Sequence, residues 1–304
     1  MNKRNLLPAI VALSLGVTVV VAQELEDGVP IPFGLERGLP TDVKTETRDP
    51  NVARESVELV ATVTNGGEPI EDGLTWHIFE RNGTQAGDLV AARTGGAQTL
   101  RLPVGEYVAH VAYGRAAAVS PFTLRAAGAK LDPIVLNAGA VSLAAEAGDA
   151  AVDADKVTFS IYEVKGDDRR LIQPNVAPGE TIRLVRGVYR VVAQYGDINA
   201  VGAADVRVRV GEVTEATLGV SGAPVVLKLV REAGGAPVAA TSWRVFDKEG
   251  KQLFESDEPA PNLILAAGTY TAEAVNGGAT VTQNFTVGAG ETVEVDVTLP
   301  STEQ

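Results

Sequence analysis

One phrase recurs three times along this chain: LPVGEYVAHVAYG at 102–114, LVRGVYRVVAQYG at 184–196 and LAAGTYTAEAVNG at 265–277. Its Gly-x-Tyr centres, Gly105/Tyr107, Gly187/Tyr189 and Gly268/Tyr270, are spaced by 82 and 81 residues. That period is too long for one solenoid turn and suits a small domain repeated in tandem. More of the sequence falls into line around each centre. Upstream lie LTWHIFE (74–80), VTFSIYE (157–163) and TSWRVFD (241–247), and before them VELVATVTNGG, VSLAAEAGDA and VVLKLVREAGG. Downstream, FTLRAAGAKLDPIVL matches VRVRVGEVTEATL and FTVGAGETVEVDVTL, each with a hairpin expected to turn at Gly128, Gly211 or Gly290.

These segments alternate with a period of two, the signature of strands with one buried face. Trp76, Phe159 and Trp243 occupy one matched position, while the neighbouring residue changes from His77 to Ser160 to Arg244. A large apolar residue that holds its place beside a variable one marks an inward core position next to an outward one. One aromatic ring supplies much of the area a small core needs. The glycine of Gly-x-Tyr is expected to end a turn with a backbone angle that favours glycine. Its tyrosine then begins a strand on the inner face, with its hydroxyl directed at nearby backbone as in the tyrosine corner of sandwich domains. Turn clusters such as Asn65-Gly66-Gly67, Asn82-Gly83 and Asn276-Gly277-Gly278 complete an all-β pattern of short strands. No amphipathic helix is expected in the repeats.

The alignment sets the organisation: repeat 1 at 52–137, repeat 2 at 138–220, repeat 3 at 221–300, then a short tail at 301–304. The joints Asn137-Ala138-Gly139 and Ser221-Gly222-Ala223 are short. A semi-rigid string of three sandwiches follows, roughly 80–110 Å long at about 3.3 Å per strand residue. Residues 23–51 carry Pro30, Pro32, Pro40 and Pro50 among many charges, the pattern of an acidic linker or extended arm. Residues 1–22 place Lys3 and Arg4 before an apolar run, then Val20-Val21-Ala22, as a cleaved secretory signal does. The run is shorter than the roughly 20 residues of a spanning helix, so no membrane span is expected in the mature chain. The protein is expected to be exported, to the periplasm or beyond.

The pattern L-x-x-G-x-Y-x-x-x-A followed by an alternating strand resembles bacterial immunoglobulin-like repeats, namely the carboxypeptidase-regulatory-like, prealbumin-like and Cna-B-like modules. The resemblance runs from residue 52 to 300 and implies three tandem immunoglobulin-like β-sandwich domains. Its motif is structural and implies no reaction. Some Cna-B-like modules carry a Lys–Asn crosslink between first and last strands. The residues to check are Lys228 and Asn284, read here as a surface pair, since the first strands of repeats 1 and 2 have no lysine.

Chemistry is sparse. With no cysteine there is no thiolate site, lipidated cysteine or disulfide, so the cores alone must hold the fold. His77 and His110 are the two histidines, on solvent-facing strand positions that do not recur between repeats. Zinc needs three or four convergent ligands, and no His-x-x-x-His or Gly-x-Ser-x-Gly is present. Glycines fall between strands, with no following helix to hold phosphate. Asp149, Asp153 and Asp155 read as solvated turn acids, with calcium as the alternative. No catalytic, metal or cofactor residue is assigned. A hydrolase built from scattered residues is the least favoured reading.

The formal charge of −13 becomes −15 without Lys3 and Arg4, which disfavours nucleic acid and anionic lipid. The expected role is a non-catalytic scaffold, spacer or protein-interaction module of the cell envelope, with another envelope or secreted protein as partner. The alternative is a glycan or envelope-ligand binder using loops or exposed Tyr113 and Tyr195. Aromatics are only 5% of the chain and mostly match core positions, which favours the first reading.

Overall fold

The computed structural model describes residues 22–24, 30–32, 52–83, 85–166 and 168–300. The signal segment, most of the linker and the tail lie outside them. Pro30–Pro32 pairs antiparallel with Ala22–Glu24.

Nearly everything else is strand, and each repeat folds two sheets around one core. The larger sheet has four antiparallel strands. Its order in repeat 1 is Gln85–Gly95, Leu74–Asn82, Gly105–Tyr113, Ala116–Leu124. Repeat 2 repeats it with Asp168–Val176, Val157–Lys165, Gly187–Tyr195 and Ala200–Val208. Repeat 3 does so with Gln252–Ser256, Ser242–Asp247, Gly268–Asn276 and Ala279–Val287. In the smaller sheet the first strand of the repeat lies between an antiparallel neighbour and the last strand. Ala138–Ala147 pairs antiparallel with Thr181–Val185 and parallel with Val213–Gly219. Gly222–Val230 pairs likewise with Asn262–Ala266 and Val293–Thr298. In repeat 1 the parallel ladder is broken into Arg54–Leu59 with Ala129–Lys130 and Ala61–Thr62 with Ile134–Val135.

The expected final hairpin is therefore not one. The chain enters the turn at Gly211 from the larger sheet and leaves it into the smaller sheet. Gly211 and Gly290 have φ of 74° and 85° and donate their backbone N–H to the oxygens of Ala138 and Gly222. Each such turn clips the crossover to the start of its own repeat. The alternation of apolar residues was the same for a hairpin and a crossover, so the sequence pattern did not distinguish them.

Alternation places the aromatics inside. Trp76, Phe159 and Trp243 are fully buried, with Ile78, Ile161 and Val245 two residues on. Burying a ring of 150–250 Å² at about 25 cal/mol/Å² contributes roughly 4–6 kcal/mol as an upper bound. Trp76 Nε1 donates to Gly96 O at 2.9 Å, whereas Trp243 Nε1 is buried without a partner among the described residues. Tyr107, Tyr189 and Tyr270 are buried, and each donates its hydroxyl to the carbonyl four residues earlier: Pro103 at 2.8 Å, Val185 at 2.8 Å, Ala266 at 2.9 Å. Burial pushes the Tyr189 phenol up to about 12, with the nearby Glu163 carboxylate adding to the shift.

The glycines of Gly-x-Tyr work differently from the expectation. Gly105, Gly187 and Gly268 are strand residues outside the left-handed region. At each, the tyrosine ring two residues on folds back beside the glycine, so a Cβ would stand 3.5 Å from its ring carbon or hydroxyl. That distance is an ordinary contact, and the glycine does not turn the chain.

Candidate functional site

The described residues hold no group of three or more His, Cys, Asp or Glu arranged as a metal site. Asp153 Oδ1 accepts from the Asp155 backbone N–H at 3.1 Å and caps the short 3₁₀ turn Ala154–Lys156. Lys228 and Asn284 sit in different sheets. Lys228 Nζ donates to Glu294 Oε2 at 2.8 Å, a bond that raises its pKa, and Asn284 Oδ1 accepts from Thr271 Oγ1. The two residues therefore have separate partners on separate sheets.

What the fold does assemble is a pair of inter-repeat joints built on one plan. In each, the turn after a Gly-x-Tyr strand lands on the fourth strand of the next repeat. Gly114 meets Arg183, and Gly196 meets Ile264, a position 81 residues later. Both glycines have positive φ, 65° and 68°, and carry no side chain to hold the strand off. The linker backbone closes the joint in the same way twice: Arg186 N–H donates to Asn137 O at 2.9 Å, and Ala267 N–H to Ser221 O at 3.1 Å.

The chemistry on this common frame differs. At the first joint, Arg115 N–H donates to Arg183 O at 3.0 Å and Arg115 Nε to Gln173 Oε1 at 2.7 Å. The Arg183 guanidinium lies 4.2 Å from the centre of the Tyr113 ring, a cation–π contact worth about 0.5–1 kcal/mol at an exposed site. A groove of about 140 Å³ opens beside it, walled by Val63, Tyr113, Gly139, Arg183 and Glu212. At the second joint the turn is longer by two residues, Ile198 and Asn199. Ile198 packs on the third core, and Ile264 and Ala266 pack back on the second. Asn199 Nδ2 donates to the Tyr270 hydroxyl at 3.0 Å while its Oδ1 accepts from Ala266 N–H at 2.9 Å. The tyrosine of repeat 3 is thereby tied to repeat 2. Gly290 seats against the Ala147 carbonyl and Gly148 against Ala289, adding a backbone contact on the same boundary.

Two sequence expectations are corrected here. Tyr195 is not available as an exposed platform: it is 3% exposed, and burial raises its pKa. Tyr113 is half-buried at the first joint beneath Arg183. The histidines do lie on the outer face of the larger sheet, opposite Trp76 and Val111, yet they are not surface residues. His77 is 3% exposed and His110 9%. They pair across neighbouring strands with stacked rings 5.8 Å apart, and both Nδ1 atoms lack a hydrogen-bond partner among the described residues. Burial lowers both to about 4, and His110 further disfavours the charge on His77. Alternation identified the face but not whether that face is covered.

Asn199, Arg115, Gln173 and Arg183 had no motif to announce them. The available signal was the two-residue lengthening of the turn before Ala200, a departure from the repeat at the boundary where neighbours meet.

Residues 224–299 match the family model of the Rhizobiales growth-associated tandem repeat domain. No curated protein matches the chain. Among solved structures, the Bacillus anthracis TIE protein is 16% identical over 84% of this chain and 59% of its own length, with a TM-score of 0.24. The minor pilin of Streptococcus agalactiae is 13% identical over 55% of this chain and 98% of its own, at 0.27. A streptococcal ancillary pilin is 11% identical over 82% and 99%, at 0.29. The third repeat is thus similar to the growth-associated tandem repeat domain, and with its two sister repeats it forms a tandem array of two-sheet β-sandwiches.

Proposed function

We propose that the protein is an exported, non-catalytic spacer and protein-interaction module of the bacterial cell envelope. The observation that carries this reading is the pair of joints. Side chains and backbone of one repeat are built into the next, so the array holds its repeats at a set spacing and presents their outer faces in a defined order. Those faces differ: Arg190 with Asp205 in repeat 2, Arg244 with Glu273 in repeat 3. A frame kept constant under changing surfaces suits presentation to protein partners better than a common reaction. The sequence of residues 1–22 supports export.

The test is capture of the tagged chain from its own envelope, with and without calcium, followed by mass spectrometry. A reproducible protein partner, lost when Arg190 and Arg244 are changed to Glu, is the expected result. Enrichment of glycan without protein, lost on Tyr113→Ala, would overturn it in favour of a glycan binder.

A further inference from the structure

The outer face of the larger sheet is built differently in repeat 1. At five matched positions repeat 2 has Ser160, Tyr162, Arg190, Val192 and Gln194, and repeat 3 has Arg244, Phe246, Thr271, Glu273 and Val275, all partly exposed. Repeat 1 has His77, Phe79, Val108, His110 and Ala112, with exposures of 3%, 4%, 0%, 9% and 7%. A bare sheet face leaves such positions partly open, as the sister repeats show, so repeat 1 carries a layer over this face. The band continues sideways, with Val108 opposite Pro121, His110 opposite Val119 and Ala112 opposite Ala117.

Two observations say what the layer is. Among the described elements, Pro30–Pro32 contacts Gln85–Gly95, the edge strand of this sheet. The sequence around it reads Val29-Pro30-Ile31-Pro32-Phe33-Gly34-Leu35. Residues before proline are driven to extended backbone, and in an extended chain Val29, Ile31, Phe33 and Leu35 share one side. The prolines lack the N–H that a central strand needs, which suits a segment lying on a face or at an edge. The 17 steps from Leu35 to Val52 span up to roughly 56 Å, ample to pass around a sandwich whose sheets pack about 10 Å apart.

We propose that the outer face of repeat 1 is the docking site of the chain's own N-terminal arm, residues 23–51, which lays Val29, Ile31, Phe33 and Leu35 over Phe79, Val108 and the His77–His110 pair. Repeat 1 then carries its own N-terminal arm on this face, and the faces left open for partners are those of repeats 2 and 3.

The chain has no cysteine, so one introduced thiol reports on the face. Val119→Cys and, separately, His110→Cys are placed in the chain beginning at Gln23, and maleimide labelling is timed under native conditions. The expected result is slow labelling that speeds at least tenfold when Ile31→Asp and Phe33→Asp are added, with unchanged Trp76 fluorescence in a Trp243→Phe background showing repeat 1 still folded. A chain beginning at Val52 should label fast, and a synthetic peptide of residues 23–40 should slow it again. Labelling that is fast already in the chain from Gln23, or equally slow with and without the arm substitutions, overturns the proposal. Protection that grows with protein concentration and accompanies a dimer also overturns it, because the arm would then serve a second copy.

Discussion

Asn199→Ala is the perturbation that most directly weighs a joint. It removes a donor to the Tyr270 hydroxyl and an acceptor for Ala266 N–H, and these two bonds join repeat 2 to repeat 3. A net hydrogen bond contributes about 0.5–1.5 kcal/mol, and leaving the half-buried Ala266 N–H unpaired adds to the loss, so roughly 1–3 kcal/mol is expected. For a domain of this size that lowers Tm by about 4–8 °C per kcal/mol. The two tryptophans, Trp76 in repeat 1 and Trp243 in repeat 3, make the readout clean. In a Trp76→Phe background, fluorescence follows repeat 3 alone, although the altered residue lies in repeat 2. Tyr270→Phe and the double variant complete a cycle whose coupling should be about 0.5–1.5 kcal/mol. Tyr189→Phe is the control, since its hydroxyl bond to Val185 stays within repeat 2. A Trp243 transition that does not move with Asn199→Ala, or a coupling of zero, would refute the reasoning that the joint ties the repeats energetically.

Two further outcomes are expected. The buried histidines titrate near 4 in the fold and near 6.5 when unfolded; between these values the unfolded chain binds more protons, so repeat 1 keeps this stability above about 6.5 and loses it as pH falls toward 4. Denaturation followed at Trp76 in a Trp243→Phe background should show that loss, and replacing His77→Ser with His110→Val, the residues of repeat 2, should flatten it. Gly290→Ala puts a methyl at φ 85° against the Ala147 carbonyl, whereas Gly250→Ala at φ 79° meets open space. Both incur the left-handed penalty of about 1–2 kcal/mol, and the excess loss in Gly290→Ala, read at Trp243, measures the boundary contact; equal losses would deny it.

The repeat made the all-β sandwich array legible, because an inward Trp or Tyr must recur wherever the same core is rebuilt. Burial of the opposite face was not legible from alternation. His77 occupies an outward position as Ser160 and Arg244 do, and only a layer over the sheet distinguishes it. The Gly-x-Tyr glycines are strand residues beside a ring, where a Cβ would make only ordinary contact at 3.5 Å, so a glycine in the sequence does not by itself mark a left-handed turn. Strand crossing at Gly211 was hidden for a related reason: the choice between hairpin and crossover rests on pairing with Ala138–Ala147, some 70 residues away, and leaves no local mark. The joints were legible in position but not in chemistry, since Asn199 and Arg183 act only on residues of a neighbouring repeat.

The first and last strands of each repeat run side by side in the same direction. Tension along the array therefore enters a repeat on one of these strands and leaves on the other, pulling them past each other. All the bonds of that ladder are loaded together and must fail together; they cannot peel one at a time as in a hairpin opened from its end. The ladder has seven register pairs in repeat 2 and six in repeat 3, but repeat 1 has two short pieces of two pairs each. A chain held at both ends thus has an order of yielding written into it, with repeat 1 giving way first while the two repeats beyond it still carry load.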